Sequence, residues 1–111
     1  METRGKIVYI GSKKLDELIE ENSAIIIDLR DMEEFEYAHI KFAKNISPEK
    51  LEKEKDLLPN TKKIVIYCDM GATSAMCARM MAKDGFIVYN LVGGIQGYKG
   101  KYLIDRINNL H

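Results

Sequence analysis

Three short runs of consecutive apolar positions, residues 24–27, 64–67 and 87–89, divide the chain. They are rich in β-branched side chains and do not alternate with polar ones. That pattern suits strands covered on both faces, as in a parallel sheet with helices on either side. A weaker run, residues 7–10, is a fourth candidate. Helical spacing fills the intervals. Ser12 is expected to cap a helix that places Leu15, Leu18 and Ile19 on one face. Residues 31–37 form a short acidic segment with Asp31 as its cap. Ser47-Pro48 is a helix start with Pro at the first helical position. Leu51, Leu57 and Leu58 are expected on the buried side of that helix, with residues 52–56 solvated. Residues 74–84 predict the best-defined helix, ending at Gly85, and residues 102–110 a terminal one. The order β-α-β-α-α-β-α-β-α predicts an α/β domain with right-handed crossovers.

Composition narrows the function classes. The 111 residues are expected to form one domain, 1–111, because two cores would each be too small to hold. With 46% hydrophobic and 31% charged residues, the chain can bury enough apolar surface to fold. Seventeen basic residues balance seventeen acidic ones, which argues against nucleic acid or an anionic membrane as partner. No apolar run approaches the ~20 residues of a membrane span. The first fourteen residues lack the apolar stretch of a secretory leader, so a cytoplasmic location is expected. In that compartment Cys68 and Cys77 are expected as free thiols.

The segment that carries chemistry is Tyr67-Cys68-Asp69-Met70-Gly71-Ala72-Thr73-Ser74. A buried strand ends at a cysteine, a short loop with a glycine follows, and a helix is expected to begin at Thr73 or Ser74. Sites in parallel α/β sheets gather at the C-terminal ends of strands. A thiol there faces the unpaired N–H groups and partial positive charge of a helix N-terminus. Surroundings of that kind favour thiolate over thiol. Gly71 allows the loop to curl its amides inward as an anion cradle. Cys77, three residues beyond Ser74, is expected to pack in the core rather than serve as a resolving thiol. Met76, Met80 and Met81 are expected as core filling, and Met70 as an apolar wall of the pocket.

Several segments together resemble the rhodanese family. Asp28-Leu29-Arg30, Glu33-Glu34-Phe35, Ala38-His39-Ile40 and Ala43-Lys44-Asn45-Ile46 follow that family's signature. Residues 68–74 resemble its Cys-x-x-Gly-x-[Arg/Thr]-Ser loop, and Gly85-Phe86 with Leu91-Val92-Gly93-Gly94-Ile95 resemble its closing segment. The resemblance covers residues 8–98. It implies a rhodanese-like three-layer α/β/α fold with a central five-stranded parallel sheet. It also implies sulfane-sulfur transfer through a persulfide on catalytic Cys68, with no metal or other cofactor. Asp69, Met70, Gly71, Ala72, Thr73, Ser74 and Arg30 would then bind substrate. The partners would be a small-molecule or protein sulfur donor and a thiol acceptor. His39 would be structural, and Arg30 is read in preference as the partner of a structural ion pair with Asp28, Glu33 or Glu34 rather than as an anion guide.

The departures bear on the substrate. Ala38 replaces the usual Gly and Tyr98 a common Trp. The loop has no Arg or Lys, and Asp69 stands where many thiosulfate-using members are basic. A carboxylate there repels a dianionic donor and opposes ionisation of the thiol. Two alternatives remain: a non-catalytic binding or regulatory module on the same fold, and a phosphatase or arsenate-reductase type of cysteine enzyme. The latter class uses an Arg to hold a tetrahedral dianion, which this loop lacks.

Overall fold

A computed structural model of the chain describes residues 5–106. Its main sheet has five parallel strands: β1 (Lys6–Ile10), β2 (Ala24–Asp28), β4 (Lys44–Asn45), β5 (Lys63–Tyr67) and β6 (Ile87–Leu91). Their order is β1-β6-β5-β2-β4, with Asp28 opposite Tyr67 and Ile66 opposite Asn90. Helix α1 (Ser12–Glu20) covers one face; its Leu15, Leu18 and Ile19 pack with Ile26, Val65, Tyr67 and Leu91. Helices α3 (Pro48–Glu54) and α4 (Ala72–Lys83) cover the other, where Leu51, Ala78 and Met81 pack with Ile27, Ile64, Ile66 and Val88. Adjacent residues of β5 thus enter different cores, which explains the unbroken apolar runs.

The expected caps hold at two helices. Asp31 accepts from the Glu34 amide in a capping box at α2 (Met32–Tyr37), and Ser47 Oγ accepts from the Lys50 amide before Pro48. Ser12 does not cap α1. Gly11 holds that position, and Ser12 Oγ accepts instead from the Lys99 amide at 2.8 Å. Helix α4 begins at Ala72, one or two residues before the expected start at Thr73 or Ser74, and Gly85 follows it with φ +97°.

Three expectations are corrected. The terminal helix is absent at residues 103–105, where β7 (Leu103–Asp105) pairs antiparallel with β3 (Ala38–Ile40). Cross-strand hydrogen bonds there override local helical spacing. Residues 107–110 of the predicted helix, and His111, lie outside the described residues. Leu57 is exposed in a 3₁₀ turn rather than buried. Lys55, expected in solvent, is buried, with Glu52 and Asp84 at 3.1 and 3.3 Å from its ammonium. Among the described residues no helix is long and apolar enough to cross a membrane.

Candidate active site

Strand β5 delivers Cys68 to the C-terminal edge of the sheet, where α4 begins. Cys68 is 5% exposed. Its Sγ accepts from the amides of Gly71 at 3.1 Å and Ser74 at 3.3 Å, and lies 3.5 Å from Ser74 Oγ. The Ser74 hydroxyl is also 3.3 Å from the Gly71 carbonyl. A helix cap normally uses its own side chain to accept from the third helical amide. Here the cap is Gly71, which has no side chain, and the sulfur of Cys68 fills that role for Ser74. The Cys68 sulfur is therefore part of the helix terminus. Gly71 has φ +118°, a conformation that side chains resist and that turns its N–H toward the sulfur. The amides of Ala72 and Thr73 stand in the first helical turn without intrahelical acceptors.

A second segment fixes the loop from the side. The Ile95 and Gln96 amides donate to the carbonyls of Cys68 and Asp69, both at 3.0 Å. Gln96 Nε2 also donates to Asp69 Oδ1 at 3.0 Å. Gly94 packs so tightly on this turn that a β-carbon there would collide with the Asp69 carbonyl. Gln96 was not singled out in the sequence. Its only signal was its place two residues after the Gly-Gly doublet.

Arg30 sits at the end of neighbouring β2, with its guanidinium turned inward. Nε and Nη2 donate to the two Asp28 carboxylate oxygens at 3.1 and 2.8 Å, and Nη2 also donates to the Ala38 carbonyl. The two side chains are 7% and 0% exposed. Burial lowers the Arg30 pKa, but the bond to Asp28 and its charge outweigh that and raise it. Asn45 Nδ2 donates to the carbonyls of Asp28 and Arg30, closing the corner. His39 stacks on Phe35, and its Nδ1 is 2.8 Å from the Phe35 carbonyl. Met70, Ala72 and Thr73 are exposed around the sulfur, and Ser74 is buried beneath them.

Cys77 lies in the same core cluster as Cys68, and both thiols are free. Burial pushes the Cys77 thiol up, and the neighbouring Cys68 adds to that. Of the methionines on α4, Met81 is fully buried and Met80 partly so, whereas Met76 is exposed, contrary to the core role expected for it.

The family model described as Rhodanese-like domain matches residues 12–101. The chain belongs to the rhodanese-like domain family. A relative named thiosulfate sulfurtransferase GlpE, from Coxiella burnetii, is 31% identical over 87 residues, covering 78% of this chain and 81% of that protein. A tRNA uridine(34) hydroxylase from Aster yellows witches'-broom phytoplasma is 32% identical over 108 residues, covering 90% of this chain but 34% of the hydroxylase. A rhodanese-like domain protein from Staphylococcus aureus shares the fold, with TM-score 0.75 and 22% identity over 89% of this chain and 98% of the other. The rhodanese-like family thus accounts for the five-stranded sheet. Its named members include both a sulfurtransferase and a hydroxylase.

Proposed function

We propose that this rhodanese-like chain is a sulfurtransferase in which Cys68 carries sulfane sulfur as a persulfide. The observation that supports this best is the pair of amides, Gly71 and Ser74, donating to the Cys68 sulfur. Amides aimed at a sulfur stabilise negative charge on it and on a second sulfur bonded to it, as an oxyanion hole does for oxygen. The similarity to a thiosulfate sulfurtransferase points to the same chemistry.

Cys68 as thiolate attacks the outer sulfur of a donor persulfide. A new S–S bond forms to Cys68, the donor S–S bond breaks, and the donor leaves as a thiolate. The terminal sulfur then lies against the first turn of α4, where the amides of Ala72 and Thr73 are open to it. An acceptor thiolate attacks that sulfur and releases Cys68 as thiolate. The sulfane sulfur keeps its oxidation state throughout, and the scheme uses no metal or organic cofactor. Such chemistry fits the reducing cytoplasm, where free thiols persist.

Asp69 sets the donor preference in this reading. It adds negative charge beside the nucleophile, and Arg30 is turned away onto Asp28. A dianion such as thiosulfate meets repulsion there, so persulfides are the preferred donors. Intact-mass measurement after incubation with a persulfide donor tests the proposal. Wild type gains one sulfur and Cys68→Ser gains none; no uptake by wild type from any donor overturns it in favour of a binding module. Faster loading from thiosulfate than from persulfide overturns the donor preference.

A further inference from the structure

The surface around Cys68 has a chemistry that the transfer step itself does not require. The Cys68–Ser74 loop contains one carboxylate and no cation. Asp69 is held in place, its Oδ1 accepting from Gln96, and its Oδ2 has no protein donor among the described residues. Strands β2 and β5 are parallel neighbours, so the segment after β2 emerges at the same end of the sheet. That segment adds exposed Asp31, Glu33 and Glu34. Its one cation, Arg30, is neutralised by Asp28. Glu49 and Lys50 at the start of α3 offset one another. Lys13, Lys14 and Lys99 lie near the end of β1, at the edge of the sheet two strands from β5.

Apolar side chains stand beside these carboxylates. Met70 is 73% exposed and Val92 57%. They neighbour Gly71 and Gly93 in the chain, and a β-carbon at Gly71 would sit 3.8 Å from the Gly93 amide nitrogen, so the two loops that carry Met70 and Val92 run beside each other. Met32, beside Arg30 at the start of α2, is also exposed. A small dianion gains nothing from this rim. A peptide segment with cationic and apolar residues gains from both of its features.

We infer that this rim is a docking surface for a polypeptide donor whose persulfide-bearing cysteine is flanked by lysine or arginine. The inference rests on the sulfurtransferase reading above and specifies its partner. The cation pairs with the open oxygen of Asp69, and apolar residues of the peptide cover Met70 and Val92. The donor cysteine is thereby held over Cys68.

The test uses two synthetic peptide persulfides, identical except that lysines flank the cysteine in one and glutamates in the other. The rate of sulfur loading on the full chain is read by intact mass. Comparing the ratio of the two rates between protein variants cancels the intrinsic reactivity of each peptide. Wild type is expected to favour the lysine peptide by roughly tenfold at low ionic strength, less at high salt. Asp69→Asn is expected to shrink the ratio and Asp69→Lys to invert it. Equal rates in wild type, or a ratio indifferent to salt and to both substitutions, overturn the docking inference. Glutathione persulfide, run in parallel, separates the two readings. If it loads wild type while the peptides do not differ, only the docking inference fails. If neither it nor the peptides load Cys68, the sulfurtransferase reading fails and the inference with it.

Discussion

Gly94 abuts the carbonyl of Asp69, leaving no room for a β-carbon between them. The contact matters because the same turn carries Cys68, whose own carbonyl accepts from the Ile95 amide. Gly94 also has φ +62°, where side chains are strained. Gly94→Ala should therefore move the loop that aims the sulfur. We expect a loss of about 1–3 kcal/mol in stability, from strain and overpacking. Sulfur loading should fall by more than the folded fraction does. Urea denaturation beside single-turnover loading measures both; unchanged loading per folded molecule would show that the turn does not position Cys68.

The Ser74 hydroxyl offers a subtler test of the cradle. It lies 3.5 Å from the Cys68 sulfur, while the Ser74 and Gly71 amides remain in place whatever the side chain. In the thiol form the sulfur donates to Ser74 Oγ and the hydroxyl donates to the Gly71 carbonyl. Once Cys68 is a thiolate, the hydroxyl must turn to donate to it, and Ser74→Ala removes that third donor. Loss of a single donor from a preorganised oxyanion site costs about 10²–10³-fold; with two amides left on the larger, softer sulfur, roughly tenfold slower loading is expected. Stopped-flow loading across pH is the measurement, and an unaltered rate would mean that the amides act alone.

The local features of the site were legible because a strand, a terminal cysteine, a glycine turn and a helix start are contiguous. What escaped was non-local. β7 was hidden because residues 103–105 have no strong strand pattern and pair with β3 more than sixty residues away. Lys55 sat in a charged run that looked solvated, and only the fold brings Asp84 to it. The sequence showed that Asp69 was unusual, but not that Gln96 would hold it. The ion-pair reading of Arg30 is already the preferred one in the sequence; the three-dimensional arrangement selects Asp28 from its three candidate partners and adds the Ala38 carbonyl.

Cys77 should be the silent thiol. Cys77 and Cys68 are almost equally buried, at 6% and 5% exposed. What separates them is that the Gly71 and Ser74 amides donate to the Cys68 sulfur, while burial pushes the Cys77 thiol above its ordinary pKa and leaves it a poor nucleophile at neutral pH. Limiting iodoacetamide at neutral pH should label Cys68 and spare Cys77 until the protein is unfolded. Cys77→Ala should still load sulfur, with a stability cost of about 1 kcal/mol for the lost packing. Peptide mapping decides the first point; early labelling of Cys77 would contradict its burial.

Arg30 should behave as a structural residue whose loss exposes a buried charge. Asp28 is fully buried, and Arg30 supplies its bidentate partner. Removing one member of such a pair leaves the other uncompensated, which costs about 3–5 kcal/mol. Arg30→Ala is expected to lose that much stability in chemical denaturation. Asp28→Asn with Arg30→Gln should recover part of it, because neither residue is then charged. A stable Arg30→Ala protein with impaired loading would instead assign Arg30 to the substrate.

Tyr98 ties the last described loop to α1 and gives the fold an alkaline limit. Its hydroxyl donates to Asp16 and accepts from the Tyr102 amide at 2.9 Å. Burial, followed by the bond to Asp16, raises its pKa above the ordinary tyrosine value, and burial does the same to Tyr67. Both hydroxyls therefore stay neutral in the fold at pH values where the unfolded chain ionises them. The stability they contribute is fully present below the unfolded tyrosine pKa of about 10, and is lost as pH rises beyond it. Denaturation midpoints should be level with respect to these groups below that pH and should fall above it. Tyr98→Phe leaves Asp16 with the Lys101 amide as its remaining donor at 2.9 Å. That variant should be about 1–3 kcal/mol less stable at neutral pH, and its alkaline decline should be shallower because one titrating hydroxyl is gone. An alkaline decline of undiminished slope in Tyr98→Phe would place the origin of the alkaline limit elsewhere.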